Sequence, residues 1–381
     1  MLTFFENIIE KIGGGLLKKE ASVIGIDIGS AFLKVVQLKR RNGKAILETY
    51  GELALGPYAG AVVGQATNLP GAKIAEALKD LFKEANVTTL QSGISLPLGA
   101  SLLSFMEMPV LDEKQLARMI PIEARKYIPV PISEVTLDWW VVPKEVKSGG
   151  DDEDSSRAPI SADASHDTTS VLVVAIHNEV INKYKEVVAG AGLQNNFFEL
   201  EVFSTARATF GGHTGTTMIL DFGAGSTKLA VIERGIIKSQ HIVNRGSQDI
   251  TRALAQSLGV SIEKAEEMKR SIGLDGEGDD KKVSDTMLLT LEDIFSEANR
   301  VLLNYQRKYN KTIGNVVLAG GGVLLKGLHG LATKSMETDV VFADPFTKVE
   351  APAFLEPVLK DAGPEFAVAI GLALRKLQEM E

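Results

Sequence analysis

Apolar and polar residues follow two periods along this chain, one typical of strands and the other of amphipathic helices. An almost continuous apolar run over residues 23–28 predicts a buried strand, and residues 33–38 predict a second. An Asn-Gly turn connects the second strand to a third over 45–50, and a helical period follows over 72–85. A strand hairpin followed by a helix indicates a mixed α/β fold.

The second half of the chain repeats this order. Its periods predict strands over residues 217–221, 228–232 and 315–318, and helices over 248–258, 262–272, 292–309 and 365–380. Between the halves, residues 112–127 predict a helix that Asp112 caps and Pro121 interrupts or kinks. The pattern therefore predicts two similar α/β halves and a smaller unit between them.

Composition narrows the classes of function. The chain has 381 residues, a formal net charge of −8 and no cysteine. Its length predicts two or three folding units. The lack of cysteine excludes a disulfide scaffold, a thiol nucleophile and a cysteine-built metal site, and the mild acidity predicts no nucleic-acid partner. The sequence shows no transmembrane or secretory pattern, so we expect a cytoplasmic protein.

Two segments differ in character from the rest of the chain. Apolar side chains recur at helical spacing in residues 1–17, where three glycines interrupt them before the first strand. Peripheral contact with a membrane and docking on a partner are the functional interpretations of this segment, while packing on its own domain and disorder are the structural alternatives. Residues 144–169, which include an acidic run, predict a solvated loop.

The most informative feature is a motif that occurs twice. In both copies an apolar strand ends in an aspartate, a glycine follows two positions later, and a lysine stands seven positions after the aspartate: Asp27 to Lys34, and Asp221 to Lys228. Glycine-rich turns let backbone N–H groups approach a phosphate, and strand-end carboxylates suit hydrated magnesium. Two hairpins without a ligand are the structural alternative, although a buried aspartate without a counter-ion costs stability.

These motifs predict a set of ligands for a nucleotide and its metal. The residues predicted to bind the nucleotide or its metal at the two hairpins are Asp27, Gly29, Ser30, Lys34, Asp221, Gly223, Gly225, Ser226, Thr227 and Gly246. Lys228 is left open as either a cleft residue or a surface strand residue. Gly320, Gly321 and Gly322 follow a buried strand and suit a purine or ribose, while Glu266 and Lys269 suit ribose hydroxyls and the base. Asp27 and Asp221 are the predicted metal ligands, through water.

In this order, the motifs resemble the nucleotide-binding motifs of the actin-like ATPase superfamily. Residues 27–34 resemble the first phosphate motif, 221–228 the second and 320–322 the adenosine motif, while 199–208 and 366–374 resemble the two connecting elements. The resemblance implies an α/β fold in which duplicated, ribonuclease H-like domains flank a nucleotide cleft, with a small α+β subdomain called 1C. It also implies ATP and magnesium as cofactors.

Residues 25–30, 123–129 and 366–375 narrow the resemblance to the PilM family of type IV pilus assembly proteins, which is related to FtsA. The resemblance implies an ATP-binding scaffold that is peripheral to the inner membrane on its cytoplasmic side. The sequence has no obvious water-positioning residue, so we expect at most slow ATPase activity. Its implied partners are the proteins of the pilus inner-membrane platform. Among them, the amino-terminal cytoplasmic tail of PilN would bind in a groove between subdomains 1A and 1C, around residues 96–132.

The resemblance also implies a division of the chain. Residues 1–20 form an amino-terminal segment, 21–90, 179–215 and 363–381 form subdomain 1A, 91–178 form 1C, 216–258 and 312–362 form 2A, and 259–311 form 2B.

Two other functions remain open at this point. A sugar or acetate kinase of the same fold needs a carboxylate base near the first connecting element, and Glu199 and Glu201 are the catalytic candidates there. An FtsA-like filament protein needs a membrane tether. FtsA normally carries its tethering helix at the carboxyl end, whereas the candidate here is amino-terminal.

Overall fold

The computed structural model describes residues 22–142, 168–211 and 215–380. Its strands are β1 (Ser22–Ile28), β2 (Phe32–Arg41), β3 (Lys44–Ala54), β4 (Gln91–Leu96), β5 (Ser101–Pro109), β6 (Val135–Val141), β7 (Thr168–His177), β8 (Gln194–Leu200), β9 (Thr216–Phe222), β10 (Thr227–Glu233), β11 (Ile236–Val243), β12 (Ile313–Ala319) and β13 (Asp339–Phe342). Its α-helices are α1 (Gly71–Glu84), α2 (Glu113–Glu123), α3 (Asn178–Ala191), α4 (Glu201–Thr209), α5 (Ser247–Leu258), α6 (Ile262–Ile272), α7 (Lys281–Tyr309), α8 (Leu328–Ser335) and α9 (Glu356–Glu379).

Two predicted segments fall wholly or largely outside these ranges. The amphipathic segment 1–17 lies outside the described residues, as does the predicted acidic loop 144–169 except for its last two residues, which begin β7. Within the described residues, no helix combines the length and the apolar character needed to span a bilayer.

The chain divides into two compact units, a smaller one over residues 99–182 and a larger one that contains most of the remainder. In the smaller unit, β5, β7 and β6 form an antiparallel sheet. Helix α2 contributes Leu116 and Ile120 to the core of this unit. As predicted, Asp112 caps α2, and Gln115 completes a capping box. The helix continues through Pro121 but ends at Glu123, earlier than predicted.

The larger unit contains two five-stranded sheets with the same order of strands. One sheet is arranged β3-β2-β1-β4-β8 and the other β11-β10-β9-β12-β13. In each, the first three strands are antiparallel and the last two run parallel to the central strand. Strand β4 lies in the first of these sheets, whereas the predicted division assigns residues 91–96 to subdomain 1C. The repeated order of elements along the sequence is therefore a repeat of sheet topology.

Strand register places the two motifs in equivalent positions. Asp27 pairs with Lys34 across β1 and β2, and Asp221 pairs with Lys228 across β9 and β10. Each aspartate lies near the end of a central strand, just before its hairpin turn. Both aspartates therefore lie at the edge of a sheet where the parallel strands also end.

Two helices are longer than the sequence pattern predicted. Helix α7 begins at Lys281 instead of residue 292, and its added turns bury Val283 and Met287 against the second half's core. Helix α9 begins at Glu356 instead of residue 365 and continues through Pro364. In both cases tertiary packing extends a helix beyond the most obvious apolar stretch.

Candidate functional site

The larger unit contains a cleft of about 320 Å³ that both halves line. Turns of the two motif hairpins, the glycine triplet after β12 and one face of α6 border it. Of the predicted residues, those that line it are Asp27, Gly29, Ser30, Lys34, Asp221, Gly223, Glu201, Glu266, Lys269, Gly320, Gly321 and Gly322. The structure thus brings together pieces that lie nearly 300 positions apart in the chain (Asp27 and Gly322).

The other predicted residues belong to the turn of the second hairpin and its support. A Cβ atom on Gly225 would lie 3.5 Å from Ser30 Oγ, so the tips of the two hairpins lie next to each other. The Thr227 hydroxyl donates a hydrogen bond to the Arg245 carbonyl at 2.9 Å. A Cβ on Gly246 would lie 2.4 Å from the Ala224 carbonyl oxygen, closer than any side chain tolerates. Gly225, Thr227 and Gly246, like Ser226, are not among the residues that line the cleft.

Asp27 is held in place by the neighbouring strand. The Ser95 hydroxyl donates to Asp27 Oδ1 at 2.9 Å and accepts from the Ile28 N–H at 2.9 Å. Burial raises the pKa of Asp27 to about 6, against the lowering effect of Lys34. The carboxylate is therefore mostly ionised at neutral pH, although burial makes its ionised form less stable than it would be in water.

Asp221 has a different environment. The Lys228 ammonium lies 3.7 Å from Asp221 Oδ2 and 3.0 Å from Glu201 Oε2, and Lys228 lines the cleft. It is therefore a cleft residue, which decides between the two positions that the sequence left open. Although burial lowers the pKa of Lys228, Glu201 and Asp221 raise it above its ordinary value. The ammonium stays protonated.

Lys34, the corresponding lysine of the first hairpin, faces other carboxylates. Its ammonium lies 3.8 Å from Glu52 and 3.8 Å from Glu365, and both of these residues line the cleft. Burial raises the pKa of Glu365. Sequence reasoning missed Glu365, although it stands immediately before the stretch that resembles the second connecting element. It also missed Ser95, which only the pairing of β4 with β1 identifies.

The two catalytic candidates differ in position. Glu199 is not among the residues that line the cleft, and its carboxylate accepts hydrogen bonds from Arg207, Arg375 and Ser204 at 2.6–2.7 Å. It therefore joins β8, α4 and α9. Glu201 does line the cleft, where Oε1 accepts from the Leu98 N–H at 2.8 Å and Oε2 faces Lys228.

Glu266 and Lys269 form a buried pair on α6, where both line the cleft. Their charged atoms are 2.6 Å apart, and the Glu266 carboxylate also accepts from Thr251 at 2.6 Å and Arg270 at 2.8 Å. A Cβ on Gly64 would lie 2.8 Å from Glu266 Oε1. The loop before α1 therefore packs closely on this pair.

Two glycines of the triplet, Gly320 and Gly322, leave no room for side chains. Gly320 has a φ of +85°, and a Cβ there would lie 2.4 Å from Asp221 Oδ1. A Cβ on Gly322 would lie 2.7 Å from the Phe222 ring. Only glycine lets this backbone pass so close to the second hairpin, and the turn forms part of the cleft wall as a result.

Comparison with known proteins identifies the family. The family model described as Type IV pilus assembly protein PilM matches residues 25–377. The chain belongs to the PilM family. A PilM–PilN type IV pilus biogenesis complex contains a chain that is 25% identical, with a TM-score of 0.77 over 94% of this chain and 99% of that one. The resemblance that the sequence motifs suggested is confirmed.

More distant relatives confirm the predicted actin-like fold. The ethanolamine utilization protein EutJ from Carboxydothermus hydrogenoformans is 15% identical, with a TM-score of 0.52 over 93% of this chain and 90% of EutJ. MreB 5 of Spiroplasma citri, solved bound to AMPPNP, is 13% identical, with a TM-score of 0.50 over 92% and 94%. The cell division protein FtsA of Bacillus subtilis is 23% identical over a 259-residue alignment, and the match covers 62% of this PilM-family chain and 58% of FtsA.

Proposed function

We propose that this PilM-family protein is an ATP-binding scaffold of the type IV pilus inner-membrane assembly platform, on the cytoplasmic side of that membrane. One observation carries the nucleotide part of the proposal: two hairpins with the same Asp-to-Lys register meet tip to tip on one cleft. That AMPPNP is bound to MreB 5, which shares the fold, supports the same assignment.

The residues that line the cleft suit a nucleotide with a metal ion. Six carboxylates and four cationic side chains line it, so the wall carries a formal excess of negative charge. A polyphosphate needs an accompanying cation there. No group of three or more histidines or carboxylates in the described ranges would hold a metal by itself. Magnesium suits such a site, because it accepts one or two carboxylates and completes its coordination with water and phosphate oxygen.

Each group has a role in this proposal. Asp27 and Asp221 would hold the hydrated metal, and N–H groups around Gly29 and Gly223 would bind phosphates. The backbone at residues 320–322 would support the adenosine, and Glu266 with Lys269 would bind the ribose. Because the nucleotide would contact both halves of the larger unit, its binding would stabilise one arrangement of these halves over others.

Glu201 bears on the kinase alternative. A general base must be available to accept a proton from the substrate hydroxyl. Both oxygens of Glu201 are already engaged, one by the Leu98 N–H and the other by the Lys228 ammonium. This arrangement favours a binding protein with slow hydrolysis over a sugar or acetate kinase.

A second part of the proposal concerns the partner. The PilM–PilN complex supports a PilN tail as the ligand. The smaller unit has an apolar hollow of about 110 Å³, bordered by β5, β7 and the residues that follow α2, with Leu102, Tyr127 and Ile128 among its lining residues. Tyr127 is half exposed, and Ile122 is more exposed still. We propose that this hollow receives an apolar side chain of the tail, and that the smaller unit corresponds to subdomain 1C.

The nucleotide assignment is tested by titrating ATP with magnesium into purified protein. Asp27→Ala and Asp221→Ala should each weaken binding about tenfold or more, because each removes a metal-holding carboxylate. Glu76→Ala is the matched control, since Glu76 is an exposed carboxylate on α1 that pairs with Lys73. Unchanged affinity in both aspartate variants would refute the assignment.

The partner assignment is tested with a peptide of the PilN tail. Saturable binding that Tyr127→Ala weakens, and that Tyr309→Ala on α7 leaves unchanged, would support it. Coupling between nucleotide and tail would appear as a peptide affinity that depends on ATP. Identical peptide affinities with and without ATP would exclude the coupling while leaving both binding sites in place.

A further inference from the structure

Lys228 lies among three carboxylates at the end of the cleft where the two hairpins meet. Its ammonium contacts Glu201 at 3.0 Å and Asp221 at 3.7 Å, and Asp27 lines the same cleft. The side chain is only 20% exposed. A cation fixed among three acids in a partly buried site is strongly held, because low exposure reduces screening by water.

The lysine of the first hairpin has other direct contacts. Lys34 has the same register opposite its aspartate, but its ammonium lies between Glu52 and Glu365. Lys34 also attracts Asp27 electrostatically, but the carboxylates within ion-pair distance of its ammonium lie outside the group formed by Asp27, Asp221 and Glu201. Lys228 is the lysine whose ammonium directly contacts members of that group, Glu201 and Asp221.

The proposed function gives this arrangement a consequence. A nucleoside triphosphate brings several negative charges to an end of the cleft that already carries three carboxylates. Two kinds of cation can offset the repulsion: the divalent ion that arrives with the nucleotide, and an ammonium that the chain itself supplies. The ammonium is permanent, so its contribution does not depend on the concentration of metal.

We propose that Lys228 is a built-in counter-ion of the phosphate end, which lowers the dependence of nucleotide binding on a divalent cation. This inference rests on the proposed function and adds a specificity-determining residue to it. The lysine also competes with the metal for Asp221. The metal-free nucleotide is therefore a ligand of the wild-type protein, and loss of the ammonium converts the cleft into one that requires the metal.

The test measures ATP affinity by calorimetry in excess magnesium and again in excess EDTA. We expect removal of magnesium to weaken ATP binding about tenfold in the wild type and about a hundredfold or more in Lys228→Met. Lys228→Arg keeps the charge and should retain the wild-type ratio. Lys34→Met is the matched control from the first hairpin and should change that ratio less than Lys228→Met does. Thermal unfolding of each variant verifies that it is folded.

A second measurement needs no nucleotide. Magnesium alone, titrated into the nucleotide-free protein, should bind Lys228→Met more tightly than wild type, because the three carboxylates are then without their ammonium. Equal ratios of affinity with and without magnesium in wild type and folded Lys228→Met would overturn the inference while leaving the proposed function intact. A wild type that binds ATP in neither condition would overturn the proposed function, and the inference with it.

Discussion

The two motif hairpins have the same sequence spacing, the same register and the same place in sheets of identical order, yet their charged side chains find different partners. Lys34 faces Glu52 and Glu365, while Lys228 faces Glu201 and Asp221. The repeated motif therefore determines the backbone of each hairpin. Residues from distant parts of the chain determine what each hairpin does chemically.

The supporting strands differ in the same way. Two positions before its aspartate, the first hairpin has Gly25, whereas the second hairpin has the buried Ile219. Beside the aspartates, β4 supplies Ser95 in the first half, whereas Ala319 of β12 pairs with Asp221 in the second. Each difference gives a substitution that makes one half resemble the other.

The largest effect is expected at Gly25. A Cβ there would lie 1.9 Å from the Ala369 carbonyl oxygen, because α9 crosses β1 in close contact. Gly25→Ala should lower the free energy of unfolding by about 3 kcal/mol, since backbone must move to relieve the overlap. Ile219→Val, the control in the second hairpin, should cost about 1 kcal/mol. Denaturant unfolding measures the loss of stability in both variants. Equal losses would contradict the prediction, because they would show that α9 can move away from β1 at little cost.

The register of the hairpins and the bounds of some helices could be predicted from the sequence. The register of both hairpins follows from local spacing, and α6 spans Ile262–Ile272 as predicted because its apolar period is complete. The partners of Lys34 and Lys228 could not be predicted, because Glu365 and Glu201 reach them only through tertiary packing. The early start of α9 could not be predicted either, because a proline such as Pro364 is typical of a helix boundary.

The next effect concerns the charge of Asp27, and here the substitution is expected to raise the free energy of unfolding instead of lowering it. Its pKa is raised from 3.8 to about 6 on folding, chiefly by burial, so the folded protein binds this proton more tightly than the unfolded chain. The stabilising contribution of this bound proton is present at low pH and is lost as the pH rises through about 6. At pH 7, Asp27→Asn should therefore raise the free energy of unfolding of the metal- and nucleotide-free protein by about 2 kcal/mol.

This gain should disappear as pH falls towards 4, where the unfolded chain also takes up the proton. Unfolding curves between pH 4 and pH 8 measure it. The corresponding substitution in the second hairpin, Asp221→Asn, removes a partner of Lys228 and should destabilise the protein at pH 7. The comparison between the hairpins would lose its electrostatic basis if both variants changed stability in the same direction.

The smallest effect is expected from Ser95→Ala, which gives the first half the side chain that Ala319 provides in the second. The substitution removes the hydrogen bond to Asp27 Oδ1 and leaves the buried Ile28 N–H without its acceptor. We expect a loss of about 1 kcal/mol of stability and a further rise in the pKa of Asp27, because the Ser95 hydroxyl stabilises the ionised carboxylate. Carboxylate NMR titration of Asp27 measures the pKa directly. Ser95→Thr keeps the hydroxyl and should leave that pKa near the wild-type value, so a rise of equal size in both variants would attribute the effect to packing and not to the hydrogen bond.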